Sequence, residues 1–383
     1  MKITEVKAYV TMPPGVQNNY VFVKVSTDEG LVGWGESSIG ATSVAGVVEE
    51  FGDSIIGKDP HRIEEHWQHM YHLYHNIRGG PIQMAAISGI EIALWDIKGQ
   101  ALGVPVYELL GGAMRDKVWA YGRFDGPSPE GAVENAMSFV DRGYTALKGD
   151  PFAHQGQYTT AESERKALAI VAAVRDAVGD DVELLIEVHG RLTPAEAIRV
   201  GEALEPYRPY FYEEPIPPQN VDAMLKVAQA INIPLATGER IYTKWGFKDL
   251  LEKQVVSVVQ PDVCHAGGIS ELKKIAAMAE VYYVGFAPHN PYGPVNTMAA
   301  IHVDACTPNF LIQEGGHAPW YDSVLTEPFP AQEGGYFNLP TKPGIGLALD
   351  EDALKEHPAG RVNLPGGYRG GYQTESRQQS HWV

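Results

Sequence analysis

Six stretches decide how this chain is read: Leu184-Leu-Ile-Glu187, Tyr210-Phe-Tyr-Glu213, Leu235-Ala-Thr-Gly-Glu239, Val258-Val-Gln-Pro-Asp262, Val284-Gly-Phe-Ala-Pro-His289 and Phe310-Leu-Ile-Gln-Glu314. Each is a short apolar run that ends on an ionisable side chain. From 187, the steps to 213, 239, 262, 289 and 314 are 26, 26, 23, 27 and 25 residues. One strand, one helix and two short loops take about that many, so the pattern is a βα unit repeated, with one polar group at each strand's C-terminal end. Active sites on (β/α)8 barrels are built this way, from the ends of several strands at one face.

Working outward, Val118-Trp-Ala-Tyr121 and Tyr144-Thr-Ala-Leu-Lys148 supply strands one and two, and a helix is expected over Ala161–Val178. The loop before that helix, residues 149–160, is rich in Gly, His and Gln and lies on the face where loops meet substrate. Upstream, Tyr20–Ser26, the turn Thr27-Asp28-Glu29-Gly30 and Leu31–Glu36 form an antiparallel hairpin, which cannot begin a parallel barrel. Apolar residues at helical spacing mark Ile63–Tyr74 and Ile82–Leu102, the latter ended by Gly103. The expectation is an α/β protein: an α+β capping domain over 1–115, a (β/α)8-type (modified TIM) barrel over 116–325, and a C-terminal segment, 326–383. Within that segment Gly334–Asn338, Pro343–Gly346 and Leu347–Leu349 read as strands and turns that return to the capping domain and complete it.

The 383 residues, 44% hydrophobic, suffice for such a barrel and a smaller domain. A net charge of −18 argues against nucleic acid or an anionic membrane as partner, since phosphate binding needs clustered Lys and Arg. Two cysteines, Cys264 and Cys306, make neither a disulfide framework nor a zinc pattern. Met1-Lys-Ile-Thr-Glu-Val-Lys7 contains no apolar leader and no run reaches a membrane span, so a soluble, cytoplasmic, homo-oligomeric protein acting on small molecules is expected.

Glu187, Glu213 and Glu239 end three consecutive strands and so converge on one point at the barrel mouth. Three carboxylates that close repel one another unless a cation lies between them. All-oxygen ligation with room for water and substrate fits Mg2+ better than zinc, which prefers nitrogen and sulfur. For any single Glu a solvated loop acid is the better reading; the repeat reverses that.

Glu187, Tyr212-Glu-Glu-Pro215, Thr237-Gly-Glu-Arg240, Gln260-Pro-Asp262, Ala287-Pro-His289 and Ile312-Gln-Glu314, in this order, resemble the mandelate racemase subgroup of the enolase superfamily. The resemblance covers nearly the whole chain, the hairpin Asp28–Glu36 included. Within the subgroup, His189-Gly-Arg191, Leu204–Pro209, His265–Ile269 and Asn309–Glu314 are most similar to sugar-acid dehydratases, those acting on galactonate among them. It implies Mg2+-assisted loss of the proton α to a carboxylate, a step this superfamily performs with a Lys or His base. His289, with Asp262 holding one ring N–H and raising the basicity of the other nitrogen, is then the base. His189, two residues past Glu187, points into the same mouth if the strand stays extended, and there protonates a departing hydroxide. Glu314 either donates to the enolate or positions His289.

Strand two departs from the racemase pattern. Racemases of the subgroup carry Lys-x-Lys there, whereas this chain has Lys148-Gly149-Asp150, which disfavours two-base racemisation. Lys148 is expected to hold the substrate carboxylate, and Asp150 to contact Lys148 or a substrate hydroxyl. Glu187 stands where most relatives carry Asp, one methylene shorter. The expected reaction is dehydration of an aldonate such as galactonate to a 2-keto-3-deoxy acid. An acid-sugar cycloisomerase or epimerase, and a non-catalytic sugar-acid sensor, are the alternatives. A sensor has no need of both His289 and Asp262.

Overall fold

The computed structural model describes residues 1–360 apart from 17, 39, 77, 153–158 and 317. His154 in the loop before Ala161, His317 just past Glu314 and the tail beyond 360 lie outside that set. The chain runs β1 (Ile3–Thr11), β2 (Tyr20–Thr27), β3 (Val32–Ser37), α1 (Ala41–Asp53), α2 (Ile63–Leu73), α3 (Pro81–Leu102) and α4 (Val106–Leu109). It continues with β4 (Lys117–Trp119), β5 (Gly122–Arg123), α5 (Pro129–Val140), β6 (Ala146–Gly149), α6 (Ala161–Val178), β7 (Glu183–Glu187) and α7 (Pro194–Leu204). Next come β8 (Phe211–Glu213), α8 (Val221–Ala230), β9 (Leu235–Thr237), α9 (Thr243–Glu252), β10 (Val258–Val259), α10 (Ile269–Val281), β11 (Gly285–Phe286) and α11 (Pro294–Ala305). Two short strands, β12 (Gln332–Glu333) and β13 (Tyr336–Asn338), and a last helix, α12 (Glu351–Glu356), complete it.

β1, β2 and β3 form an antiparallel sheet, the expected hairpin plus a strand the sequence reading had not identified, and α1 was likewise missed. The sheet lies close on α3. A side chain at Gly35 would place its Cβ 1.8 Å from the carbonyl oxygen of Gly89, so strand and helix touch backbone to backbone there. The apolar face this buries, Val23, Trp67, Met84, Ile87, Ile90 and Leu94 among it, is a core of its own.

Strands β5 to β11 make one parallel sheet in sequence order, joined by helices α5 to α10. The segment Phe310–Glu314 closes it: Leu311 N donates to Phe286 O at 2.8 Å and Gln313 N to Trp119 O at 2.8 Å. Parallel bridges join Phe310 to Phe286 and Gln313 to Ala120. This corrects the first strand. Lys117–Trp119 pairs antiparallel with β13, and the barrel strand begins only at Ala120. An apolar run of that length fits either partner; which one it takes is decided by a segment more than two hundred residues downstream.

Inside the ring each strand contributes one buried apolar residue to a single layer: Tyr121, Ala146, Leu185, Phe211, Ala236, Val258, Ala287 and Ile312. Alternation along a strand places the next inward side chain two residues on. Those are Arg123, Lys148, Glu187, Glu213, His289 and Glu314 on six of the strands, which is why the polar groups gather above the apolar plug. On β9 the position is Gly238, at φ 153°, where a Cβ would meet the backbone N of Gln260 at 2.6 Å. The turn this permits brings Glu239 in instead.

The first sheet and its helices dock on the barrel behind the site. Glu36 accepts from Gly293 N (2.6 Å) and Asn296 N (2.9 Å), while Glu91 accepts from Ile269 N (2.7 Å) and Ser270 N (2.9 Å). The C-terminal segment returns past α3, where Ile345 N donates to Asp96, and reaches β1 where Pro358 bridges to Thr11. Among the described residues no helix is long and apolar enough to cross a membrane.

Candidate active site

Three consecutive strand ends bring Glu187, Glu213 and Glu239 to the mouth, all nearly inaccessible to solvent. Burial and the neighbouring Glu187 push the Glu213 carboxyl up to about 8. The Oε2 atoms of Glu187 and Glu239 are buried and accept no hydrogen bond. Their nearest cations are Lys148 Nζ at 3.7 Å from Glu187 and His289 Nε2 at 3.3 Å from Glu239. Buried acceptors lacking donors, within a set of mutually repelling carboxylates, are what a divalent cation relieves, and an all-oxygen donor set suits Mg2+. One ligand atom each of Glu187, Glu239 and His189 lie within 4.8 Å of one another. Glu213 falls outside that tightest group because Lys148 holds it. The longer arm of Glu187 folds back, its Oε1 accepting from Val188 N (2.8 Å) and His189 N (2.5 Å), which aims only Oε2 at the cluster.

Lys148 is 3% exposed, and its ammonium lies 3.0 Å from Glu213 Oε1 and 3.0 Å from Glu314 Oε1. Two of its donor directions are thus taken by carboxylates of the protein. Burial alone would raise the Glu314 carboxyl, but Lys148, His289 and Arg123 outweigh it and hold the group far below the usual range. Glu314 accepts from Asn290 N at 3.0 Å.

His289 Nδ1 donates to Asp262 Oδ2 at 2.7 Å. The other oxygen of Asp262 accepts from Cys264 N at 2.7 Å, so the carboxylate is fixed by backbone. Burial would lower the imidazole, yet Glu239 and Asp262 together raise it to about 10. His265 stands beside this pair, but its nitrogens are engaged by Ser38 Oγ (2.5 Å) and the Glu239 carbonyl (2.6 Å). It is a packing residue that supports the Glu239 loop.

His189 reaches the mouth by a route alternation does not describe. Strand β7 ends at Glu187, and His189 lies in the left-handed region at φ 52°. That conformation costs an L-residue about 1–2 kcal/mol. Backbone bonds offset it: Gly190 N donates to Glu214 O (2.7 Å) and Arg240 to His189 O (3.0 Å). Its Nδ1 donates to Asp150 Oδ2 at 2.7 Å, so the contact of Asp150 is with His189 rather than Lys148. Arg191 binds both oxygens of Asp150, at 3.0 and 2.8 Å. Asp150 is accordingly held below the usual carboxylate range, His189 and Arg191 outweighing burial.

Three further residues belong to the site: Arg240, which pairs with the acidic cluster as its place after Glu239 suggests, and Arg123 and Arg191, to which the sequence assigned no role. Arg123, 3.5 Å from Glu314, occupies the inward position two beyond Tyr121, so the alternation that finds Glu187 also finds it. Arg240 bridges Glu214 and Glu239 at 3.3 Å each. Arg191 was visible only as a letter in His189-Gly-Arg191, and nothing in the sequence pairs it with residue 150.

The comparisons with known proteins agree with this geometry. Residues 131–353 match the enolase C-terminal domain-like family, and residues 6–111 match the N-terminal domain of mandelate racemase / muconate lactonizing enzyme. A D-galactonate dehydratase from Ralstonia pickettii is 43% identical over 365 residues, covering 93% of this chain and 94% of that protein. One from Variovorax paradoxus is 42% identical over 363 residues, covering 92% and 94%. A solved mandelate racemase/muconate lactonizing enzyme from Sulfitobacter sp. superposes with TM-score 0.89 at 39% identity, covering 94% of this chain and 96% of that one. A member of the enolase superfamily from Salmonella Typhimurium superposes with TM-score 0.88 at 37% identity, covering 93% and 98%. Strand-end carboxylates, a histidine–aspartate pair one strand apart and a docked antiparallel cap thus have one common explanation: the chain belongs to the mandelate racemase/muconate lactonizing enzyme family of the enolase superfamily.

Proposed function

We propose that this enzyme is a sugar-acid dehydratase that removes the C2 proton of an aldonate such as galactonate and eliminates the 3-hydroxyl, giving a 2-keto-3-deoxy acid. The observation that carries the reading is that two imidazoles, each tied through Nδ1 to its own carboxylate, flank Glu239 from strands three and seven. Strands four apart in a ring of eight stand on opposing walls. An elimination has two bonds to break and needs a base at one and an acid at the other, which this arrangement offers. The 42–43% identity to D-galactonate dehydratases supports the same reaction class.

His289, neutral with its one proton on Nδ1 where Asp262 holds it, takes the C2 proton on Nε2. The charge of Glu239, which otherwise favours a protonated ring, would be offset by the cation that carboxylate helps to hold. His189 Nε2 gives its proton to the departing oxygen, which leaves as water, because hydroxide is a poor leaving group. The enol that remains tautomerises to the ketone. Glu187, Glu213 and Glu239 would hold Mg2+, which when bound stabilises negative charge building on the substrate carboxylate. Glu314, anchored by Lys148 and Arg123, stays ionised and keeps that end of the mouth anionic.

A panel of polyhydroxy acids, with mandelate as the aryl control, incubated with protein and Mg2+ and assayed for 2-keto-3-deoxy products, tests this. Turnover of at least one aldonate and none of mandelate is expected, because His189 and Arg123 offer polar partners rather than an apolar pocket. Efficient turnover of mandelate with no product from any aldonate reverses the reading.

A further inference from the structure

We propose that Asp150, held rigid by Arg191, is the positioning residue that sets the ring of His189, so that Nδ1 is committed and Nε2 meets the leaving hydroxyl. The inference rests on the dehydratase reading and deepens it. His189 is past the end of its strand, and its backbone is pinned by Glu187 Oε1, Arg240 and the Gly190–Glu214 bond. None of those contacts sets the side-chain torsions, and the imidazole is a quarter exposed. Asp150 contacts the ring itself. It follows β6, the strand paired with β7, and its Oδ2 accepts from His189 Nδ1 at 2.7 Å.

The carboxylate is itself immobile. Arg191, buried, binds both its oxygens and also the Val188 carbonyl at 2.9 Å, while Phe152 N donates to Oδ1 at 3.0 Å. A ring held by an already ordered acceptor keeps one orientation and one tautomer without ordering anything further when substrate binds. The proton balance follows: Nε2–H goes to the C3 oxygen as the C–O bond breaks, water leaves, and the imidazole remains neutral with Nδ1–H on Asp150. The base pair Asp262/His289 lies across the mouth and shares no atom with this one, so the two can be perturbed separately.

The test uses Mg2+-loaded Asp150→Ala, Asp150→Asn, His189→Asn and the Asp150→Ala/His189→Asn double variant in D2O, with an aldonate the wild type dehydrates. Asp150→Ala is expected to lower kcat for dehydration by about 10- to 100-fold, the usual size of losing an orienting partner. C2 deuterium exchange and KM should stay at wild-type values. Asp150→Asn, which keeps one acceptor oxygen, should recover part of kcat. The double variant should be no slower than His189→Asn alone, since Asp150 acts only through the ring. Multiplied losses in the double variant, or loss of exchange in Asp150→Ala, overturn the proposal. A second readout needs no substrate. In 15N-histidine-labelled protein the Nδ1–H signal of His189, assigned by its absence in His189→Asn, should vanish or shift in Asp150→Ala, and an unchanged signal also overturns it. A wild type that dehydrates no sugar acid overturns the dehydratase reading instead, and the ring signal then still decides whether Asp150 fixes His189.

Discussion

Replacing Glu91 with Gln probes how the cap holds the barrel loop behind Asp262, and its size can be worked out from the structure. The Glu91 carboxylate is fully buried and accepts from Ile269 N, Ser270 N, Ser270 Oγ and Trp95 Nε1. Burial nevertheless wins over those donors and pushes the group up from 4.5 to about 7. The folded protein therefore binds this proton more tightly than the unfolded chain does. Its contribution to stability is complete below about pH 4.5 and is lost as pH rises through about 7. The difference of about 2.5 between the two values corresponds to about 3–4 kcal/mol at roughly 1.4 kcal/mol per unit. Gln cannot ionise, and its amide brings two donors into a site lined with donors, an orphaning that costs about 1–3 kcal/mol. The variant should thus be the less stable protein at pH 4.5 and close or reverse that gap by pH 8. Urea unfolding of both proteins in saturating Mg2+ across that range measures it. Taking the difference between the two curves cancels Glu36 and Asp96, which are buried in both. Curves that run parallel from pH 4.5 to 8 would refute the claim that burial dominates at Glu91.

Three further outcomes are expected. Chelated protein should be inactive and recover with millimolar Mg2+, whereas Glu213→Gln, which removes one of three anionic ligands, should not; full activity in chelator sinks the ligand assignment. His289→Asn should lose both C2 exchange and dehydration by about 100-fold or more, while His189→Asn keeps exchange and loses elimination; the opposite pattern by NMR in D2O would mean the roles are reversed. Lys148→Met strips the ammonium from Glu213 and Glu314, so its melting temperature in chelator should fall, by about 2–4 °C for each kcal/mol lost. Mg2+ should raise the melting temperature more in that variant than in wild type, and an equal rise in both would show that Lys148 does not compensate the ligand cluster.

Much of the architecture is written locally. An apolar run ending in a carboxylate, repeated at one strand and one helix per unit, can close only one way, and the helix Ala161–Val178 runs where its pattern said it would. The identities of Glu187, Glu213, Asp262, His289 and Glu314 as mouth residues follow from the same repeat, because side-chain direction in a strand has a fixed period of two. That rule reaches only as far as the strand does. It fails at His189, where β7 has ended and a left-handed residue turns the chain, and at Glu239, which enters because Gly238 bends it in. Tertiary structure alone decided the rest. Lys148 went to Glu213 and Glu314, Asp150 went to His189 and Arg191, and Lys117–Trp119 paired with β13 instead of joining the barrel. In each case the partner comes from a distant part of the chain, and a charge or a strand edge takes whichever partner the closed fold brings within about 3 Å. Sequence sets which groups arrive at the mouth; the packing of neighbouring strands sets which of them touch.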